Sequence, residues 1–153
     1  LVTLGIATVL TGVCGAPILA QAGEIGTAAS AECLYVNKEV KVKYDAKVMT
    51  MVDGETITED TTIKSAGNHT VYIVTTGKEH TIYYTIDYKK PVVKSSGKKI
   101  IVQDNCGLKT LTCKGKTQAA SGKRKVIKMK KGKVKVKVTD LAGNKMTKTL
   151  RLK

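Results

Sequence analysis

The 153-residue sequence has no tryptophan and no phenylalanine, and only six tyrosines and two histidines. A core must therefore be assembled from Val, Ile, Leu and Tyr, and the abundance of Thr, Val, Ile and Tyr in short runs favours strands. Beyond the first thirty residues no segment repeats its apolar residues at the 3.6-residue helical period. With no helix to enter a groove and no aromatics beside its basic stripe, the chain is not a sequence-specific reader of nucleic acid. Histidine and cysteine lack the Cys-x-x-Cys and His-x-x-x-His spacings of a zinc site, so His69 and His80 read as polar residues flanking a hairpin. No third residue presents itself to orient a Cys–His nucleophile pair. Asp53, Asp104, Asp140 and Asn144 are spread over turns without an Asp-x-Asp-x-Asp ladder. They read as turn caps rather than calcium ligands. Neither a metal nor a cofactor is expected, and the chain reads as non-enzymatic.

Acidic residues are also scarce, but in one half only. Residues 23–97 carry nine lysines and ten Asp or Glu, whereas residues 98–153 carry eighteen Lys or Arg and two Asp. Nearly all of the net charge of +15 therefore belongs to the C-terminal part. Such an asymmetry attracts polyanions without bearing on the fold. Nucleic acid contacted without sequence preference, teichoic acid, sulfated glycans and anionic membrane surfaces all fit.

Residues 1–22 form an uncharged apolar run ending Ala20-Gln-Ala22, which reads as a cleaved signal segment. Retained, it would be long enough to anchor the chain in a membrane. Loss of Cys14 with that segment leaves Cys33, Cys106 and Cys113, an odd number and no closed disulfide framework. Cys106 and Cys113 are seven residues apart. A fully extended strand would hold them about 23 Å apart, so a bridge requires the chain to fold back between them. Otherwise they are thiols standing in for turn residues.

Residues 23–37 are small and polar and read as a flexible lead-in. Strand patterns follow over 40–44, 48–52 and 57–63, with Asp53-Gly54 as a hairpin turn. Two more strands, 69–75 and 80–87, flank Thr76-Gly-Lys-Glu79, and Pro91 closes this unit. A second unit has strands over 98–102, 108–113 and 126–129, then a closing hairpin. In that hairpin Val134, Val136 and Val138 alternate with Lys133, Lys135 and Lys137, writing one apolar and one cationic face. Asp140, Gly143 and Asn144 supply its turn chemistry. Lys148 breaks the pattern by sharing the parity of Met146, Leu150 and Leu152, which predicts a bulge or a sheet edge. The cations Lys123, Arg124, Lys125, Lys128, Lys130, Lys131, Lys133, Lys135 and Lys137 are the candidate polyanion-binding set.

The hairpin Val136-Lys-Val-Thr-Asp-Leu-Ala-Gly-Asn-Lys-Met-Thr-Lys-Thr149 resembles the closing hairpin of bacterial immunoglobulin-like domains in surface proteins. Asp53-Gly-Glu-Thr-Ile-Thr58, Ser65-Ala-Gly-Asn-His-Thr-Val-Tyr72 and Tyr84-Thr-Ile-Asp-Tyr-Lys-Lys-Pro91 are similar to segments of the same family, the last to a boundary between consecutive domains. Val102-Gln-Asp-Asn-Cys-Gly-Leu-Lys-Thr-Leu-Thr-Cys-Lys-Gly-Lys116 is a further match, with Cys at two turn positions. The resemblance implies an all-β chain of two small tandem Ig-like β-sandwiches, over 38–91 and 92–153, secreted or displayed at a cell surface. Its implied role is that of a spacer or adhesive module; together with the charge split, the basic second domain is expected to lie against an anionic cell-wall polymer or host glycan. The alternative is an accessory domain of a larger secreted hydrolase.

Overall fold

The computed structural model describes residues 28–153; the expected signal segment lies outside them. Every regular element in this range is a β-strand. Strands before Asp87 and strands after Pro91 share no sheet, and each half has its own buried cluster.

In the first half, β1 (Ala28–Val36), β7 (Lys78–Ile86), β6 (Gly67–Thr75), β3 (Met49–Val52) and β4 (Glu55–Thr56) form one sheet in that order. A two-stranded sheet of β2 (Val40–Val42) and β5 (Thr61–Ile63) supplies the opposing layer. Val42 and Ile63 from the small sheet meet Val71, Ile82 and Ile86 from the large one. Asp53 and Gly54 both take positive φ, 52° and 89°, so the Asp-Gly dipeptide makes the tight turn between β3 and β4. The expected strand over 57–63 is broken, because the chain leaves one sheet after Thr56 and enters the other at Thr61. Asp60 anchors the crossing by accepting from the Tyr44 N–H at 3.0 Å and from the Lys43 ammonium.

Residues 28–36 correct the expectation of a flexible lead-in over 23–37. They form β1, paired parallel to β7 from Ala28–Lys78 through Val36–Ile86. Leu34 and Val36 pack against the core of this half.

In the second half, β8 (Val92–Ser96), β9 (Lys99–Gln103) and β12 (Arg124–Lys128) form one sheet. β10 (Leu108–Cys113), β11 (Lys116–Ala119), β13 (Gly132–Asp140) and β14 (Lys145–Leu152) form the other. The two inner faces close a sandwich around Ile100, Val102, Leu108, Leu111, Val134, Val136 and Val138. The three valines of β13 are 3, 0 and 2 % exposed, and the lysines between them are exposed. β13 and β14 pair without a break from Gly132–Leu152 to Thr139–Lys145, so Lys148 sits on an edge strand with no bulge.

Both openings between the two layers are bridged in the same way. Lys125 of β12 has inward parity opposite Val102, and its Nζ donates to the Ala119 carbonyl of β11 at 3.2 Å. Lys148 of β14 has inward parity opposite Val136, and its Nζ donates to the Val93 carbonyl of β8 at 3.1 Å. All four strands are sheet edges. An inward-pointing charge at an edge resists the addition of a foreign strand.

Candidate functional site

The nine cations singled out in the sequence do not form one surface. Lys133, Lys135 and Lys137 lie on the outer face of the β10–β11–β13–β14 sheet. Cross-strand pairing adds Arg151 opposite Lys133, and Lys145 opposite Thr139. Thr147 and Thr149 lie opposite Lys137 and Lys135, and Thr112 also lies opposite Lys137. Arg124 and Lys128 lie on the outer face of the other sheet, on the far side of the sandwich, with Lys99 directly opposite Lys128. Lys130 and Lys131 line a cleft of about 730 Å³ together with Lys98, Lys99 and Lys128, between the β8–β9 turn and the β12–β13 loop. Lys125 is committed to its edge bridge. Lys123 lines a different cleft, where the two halves of the chain meet.

Lys133–Arg151 and Lys128–Lys99 set like charges directly across a strand pair, an arrangement that repels. Among the described residues, every ion pair lies in the first half of the chain: Lys41–Glu39, Lys43–Asp60, His69–Asp53 and His80–Glu32. The cations of residues 98–153 are therefore uncompensated by carboxylates.

The two acidic residues of the second half are turned inward, and with Asp87 they make a second site. Each caps its own turn through Oδ1. Asp87 accepts from the Lys89 N–H at 2.9 Å, Asp104 from the Cys106 and Gly107 N–H groups at 2.8 Å each, and Asp140 from the Asn144 N–H at 2.7 Å. Capping is what the turn sequences suggest for Asp104 and Asp140; the convergence of the turns is not visible in them. One carboxylate oxygen from each of Asp87, Asp104 and Asp140 lies within 4.8 Å of the other two. At that spacing each ionised pair repels by about 3–4 kcal/mol at an effective dielectric constant of 20. Burial pushes the Asp140 carboxyl above the ordinary carboxylate range; the hydrogen bonds from Asn144 oppose this, and the charge of Asp104 adds to it. Asn144 completes the junction by donating from Nδ2 to the Asp87 carbonyl at 2.7 Å. Gly107 is required nearby, since a Cβ there would sit 2.9 Å from Leu141 Cδ1 at a φ of 136°.

A Cys106–Cys113 bridge is not formed. The extended strand β10 separates the two residues, and both remain thiols. Cys113 Sγ contacts Met129 Sδ at 3.2 Å. The Cys106 thiol is pushed up to about 12 by burial and by the charges of Asp87, Asp104 and Asp140. It is thus held as an unreactive thiol.

Neither histidine assembles a reactive centre with the other. His69 Nδ1 contacts Asp53 Oδ2 at 2.7 Å, and its Nε2 contacts the Ser65 carbonyl at 3.0 Å. His80 lies opposite Ser30 in the β1–β7 register, and its Nδ1 contacts the Ser30 hydroxyl. Glu32 shares that face, but its carboxylate is 4.0 Å from His80 Nε2, beyond hydrogen-bond reach. A Ser–His–carboxylate relay is therefore not assembled.

No family model and no curated protein matches the chain. Among solved structures it is similar to SGBP-B of the Bacteroides ovatus mixed-linkage glucan utilization locus, solved in complex with a mixed-linkage heptasaccharide. The identity is 13 % and the TM-score 0.28, over 86 % of this chain and 43 % of that one. The chain thus spans less than half the length of that protein.

Proposed function

We propose that the protein is a non-enzymatic module of a secreted or cell-surface protein, built as two tandem Ig-like β-sandwiches, whose basic second sandwich rests against an anionic polymer. The observation that supports this most strongly is the outer face of the β10–β11–β13–β14 sheet. Lys133, Lys135, Lys137, Lys145 and Arg151 project there among threonines, with no carboxylate paired to any of them. The pleat holds alternate residues of one strand roughly 6.5–7 Å apart, and neighbouring strands are about 4.8 Å apart. That grid places several cations within one Debye length of each other at physiological salt. A flexible polyphosphate or sulfated chain laid across it would relieve the repulsion between Lys133 and Arg151. Sequence or linkage specificity is not required for such contact. The spacer role rests on the rigid edges, since Lys125 and Lys148 close both openings of the sandwich against further strand pairing.

The test is retention of the purified chain on immobilised teichoic acid and on heparin as salt is raised. Binding that weakens steeply between 50 and 500 mM salt, on the order of the ionic strengths over which screening becomes severe, supports the reading. No retention at the lowest salt on either polymer removes the polyanion part.

A further inference from the structure

We propose that Asp87, Asp104 and Asp140 bind one calcium ion at the junction between the two halves of the chain. An acidic cluster alone would not carry this, because carboxylates often gather on surfaces without a ligand. These three are not on the surface: Asp87, Asp104 and Asp140 are 3, 9 and 0 % exposed. In each of them Oδ2 is buried without a hydrogen-bond partner. Each Oδ1 is spent on a backbone cap, so the turns fix the carboxylates and leave the second oxygens available. Buried polar atoms are almost always satisfied, and three orphaned oxygens on residues whose carboxyl groups converge require an explanation.

Internal cations do not provide one. The chain has 27 Lys and Arg, all within the described residues, and none forms an ion pair with these carboxylates. A bound divalent cation would neutralise the cluster and satisfy its free oxygens together.

The donor chemistry selects the ion. The converging atoms are all carboxylate oxygens. That set suits a hard cation rather than zinc or copper, which favour nitrogen and sulfur. Calcium accepts irregular shells of six to eight oxygens, whereas magnesium demands a near-ideal octahedron and retains several waters. Three rigidly capped and nearly dry carboxylates match the first requirement better than the second. The adjoining cleft of about 700 Å³, lined in part by Asp87, Cys106 and Gly107, lets water complete the shell.

The consequence is mechanical. Asp87 closes the first half, while Asp104 and Asp140 belong to turns of the second. One ion bound to all three would tie the halves together beside the linker 87–91. Calcium would then convert two jointed units into a stiffer rod.

The experiment uses the 153-residue chain freed of metal with EDTA. Isothermal titration with CaCl₂ should show one site per chain, and calcium should raise the melting temperature. Magnesium should bind about tenfold more weakly or worse. Calcium should also slow tryptic cleavage after Lys89, which is exposed in the linker. Asp87→Asn and Asp104→Asn each preserve an Oδ1 cap and replace the orphaned oxygen with an amide. Both variants should keep the parent's circular dichroism, melt no lower than the parent without metal, and lose the calcium increment. If the parent binds no calcium at millimolar concentration, or if magnesium binds as well, or if the variants keep the increment, the proposal is wrong.

Discussion

The side chain of Asn144 reaches across 57 positions of sequence to donate to the backbone carbonyl of Asp87, at 2.7 Å. The backbone N–H of the same residue donates to Asp140 Oδ1, also at 2.7 Å. One buried asparagine thus ties the end of the first half to the closing hairpin of the second. Asn144→Ala leaves the Asp87 carbonyl without this donor. A destabilisation of about 1–3 kcal/mol is expected, the cost of an unsatisfied buried polar group. Urea denaturation followed by circular dichroism checks it, and a variant as stable as the parent would show that the bond carries no weight.

The two inward lysines make a separate prediction. Lys125 and Lys148 each span an opening between edge strands and donate to a carbonyl of the opposite sheet. Replacing both with valine should change the fold little, since the apolar stems already share the inner parity. The edge strands β12 and β14 would lose their inward-pointing charges, and with them the bridges to β11 and β8. Sedimentation velocity should then reveal more self-association in Lys125→Val/Lys148→Val than in the parent. Identical sedimentation across a concentration series would contradict the protective role.

Asp53 supplies a pH dependence of definite sign. Burial pushes its carboxyl up, but hydrogen bonds from His69 and from the Thr70 N–H, with the His69 charge, outweigh this and hold it below the ordinary carboxylate value of 3.8. A depressed native pKa means that the unfolded chain binds the proton more readily. The associated stability is complete above the unfolded value and is lost as pH falls through the folded one. Melting temperatures measured from pH 6 down to about pH 2 should therefore fall less steeply for Asp53→Asn than for the parent below about pH 4. Parallel curves would show that Asp53 contributes nothing to the acid transition.

What the sequence discloses of this fold is what is local. The Val-Lys alternation of β13 foretells a buried valine row and an exposed lysine row, and Asp53-Gly54 foretells a two-residue turn. The odd parity of Lys148 foretells an edge. β1 is not legible in the same way, because Ala28-Ala-Ser-Ala-Glu32 is a weak strand pattern. Its pairing partner β7 lies fifty residues away in the parallel register. The run 57–63 reads as one strand because nothing local marks the change of sheet. β8 escapes because Val92-Val-Lys-Ser-Ser96 is short and half polar.

The same division governs the sites. Period two places Lys133, Lys135 and Lys137 together, but it cannot show that Arg124 and Lys128 project from the other layer. The caps of Asp104 and Asp140 are visible in their own turn sequences, while Asp87 reads there as the end of a strand. Their convergence is not, since it depends on three turns meeting at a junction between residues 87, 104 and 140.

The lysine row of β13, and not net charge in general, is proposed to make the principal contact with an anionic polymer. The most direct test is the salt dependence of teichoic acid binding for Lys133→Gln/Lys135→Gln/Lys137→Gln, beside Arg124→Gln/Lys128→Gln on the opposite layer. Removing one phosphate-binding cation should lower the slope of log K against log salt by roughly 0.7–0.9, the value for nucleic-acid phosphates. The triple variant should therefore show a slope shallower by about two to three units, and the double variant a slope shallower by less than one. Equal reductions per charge removed from either layer would contradict the account.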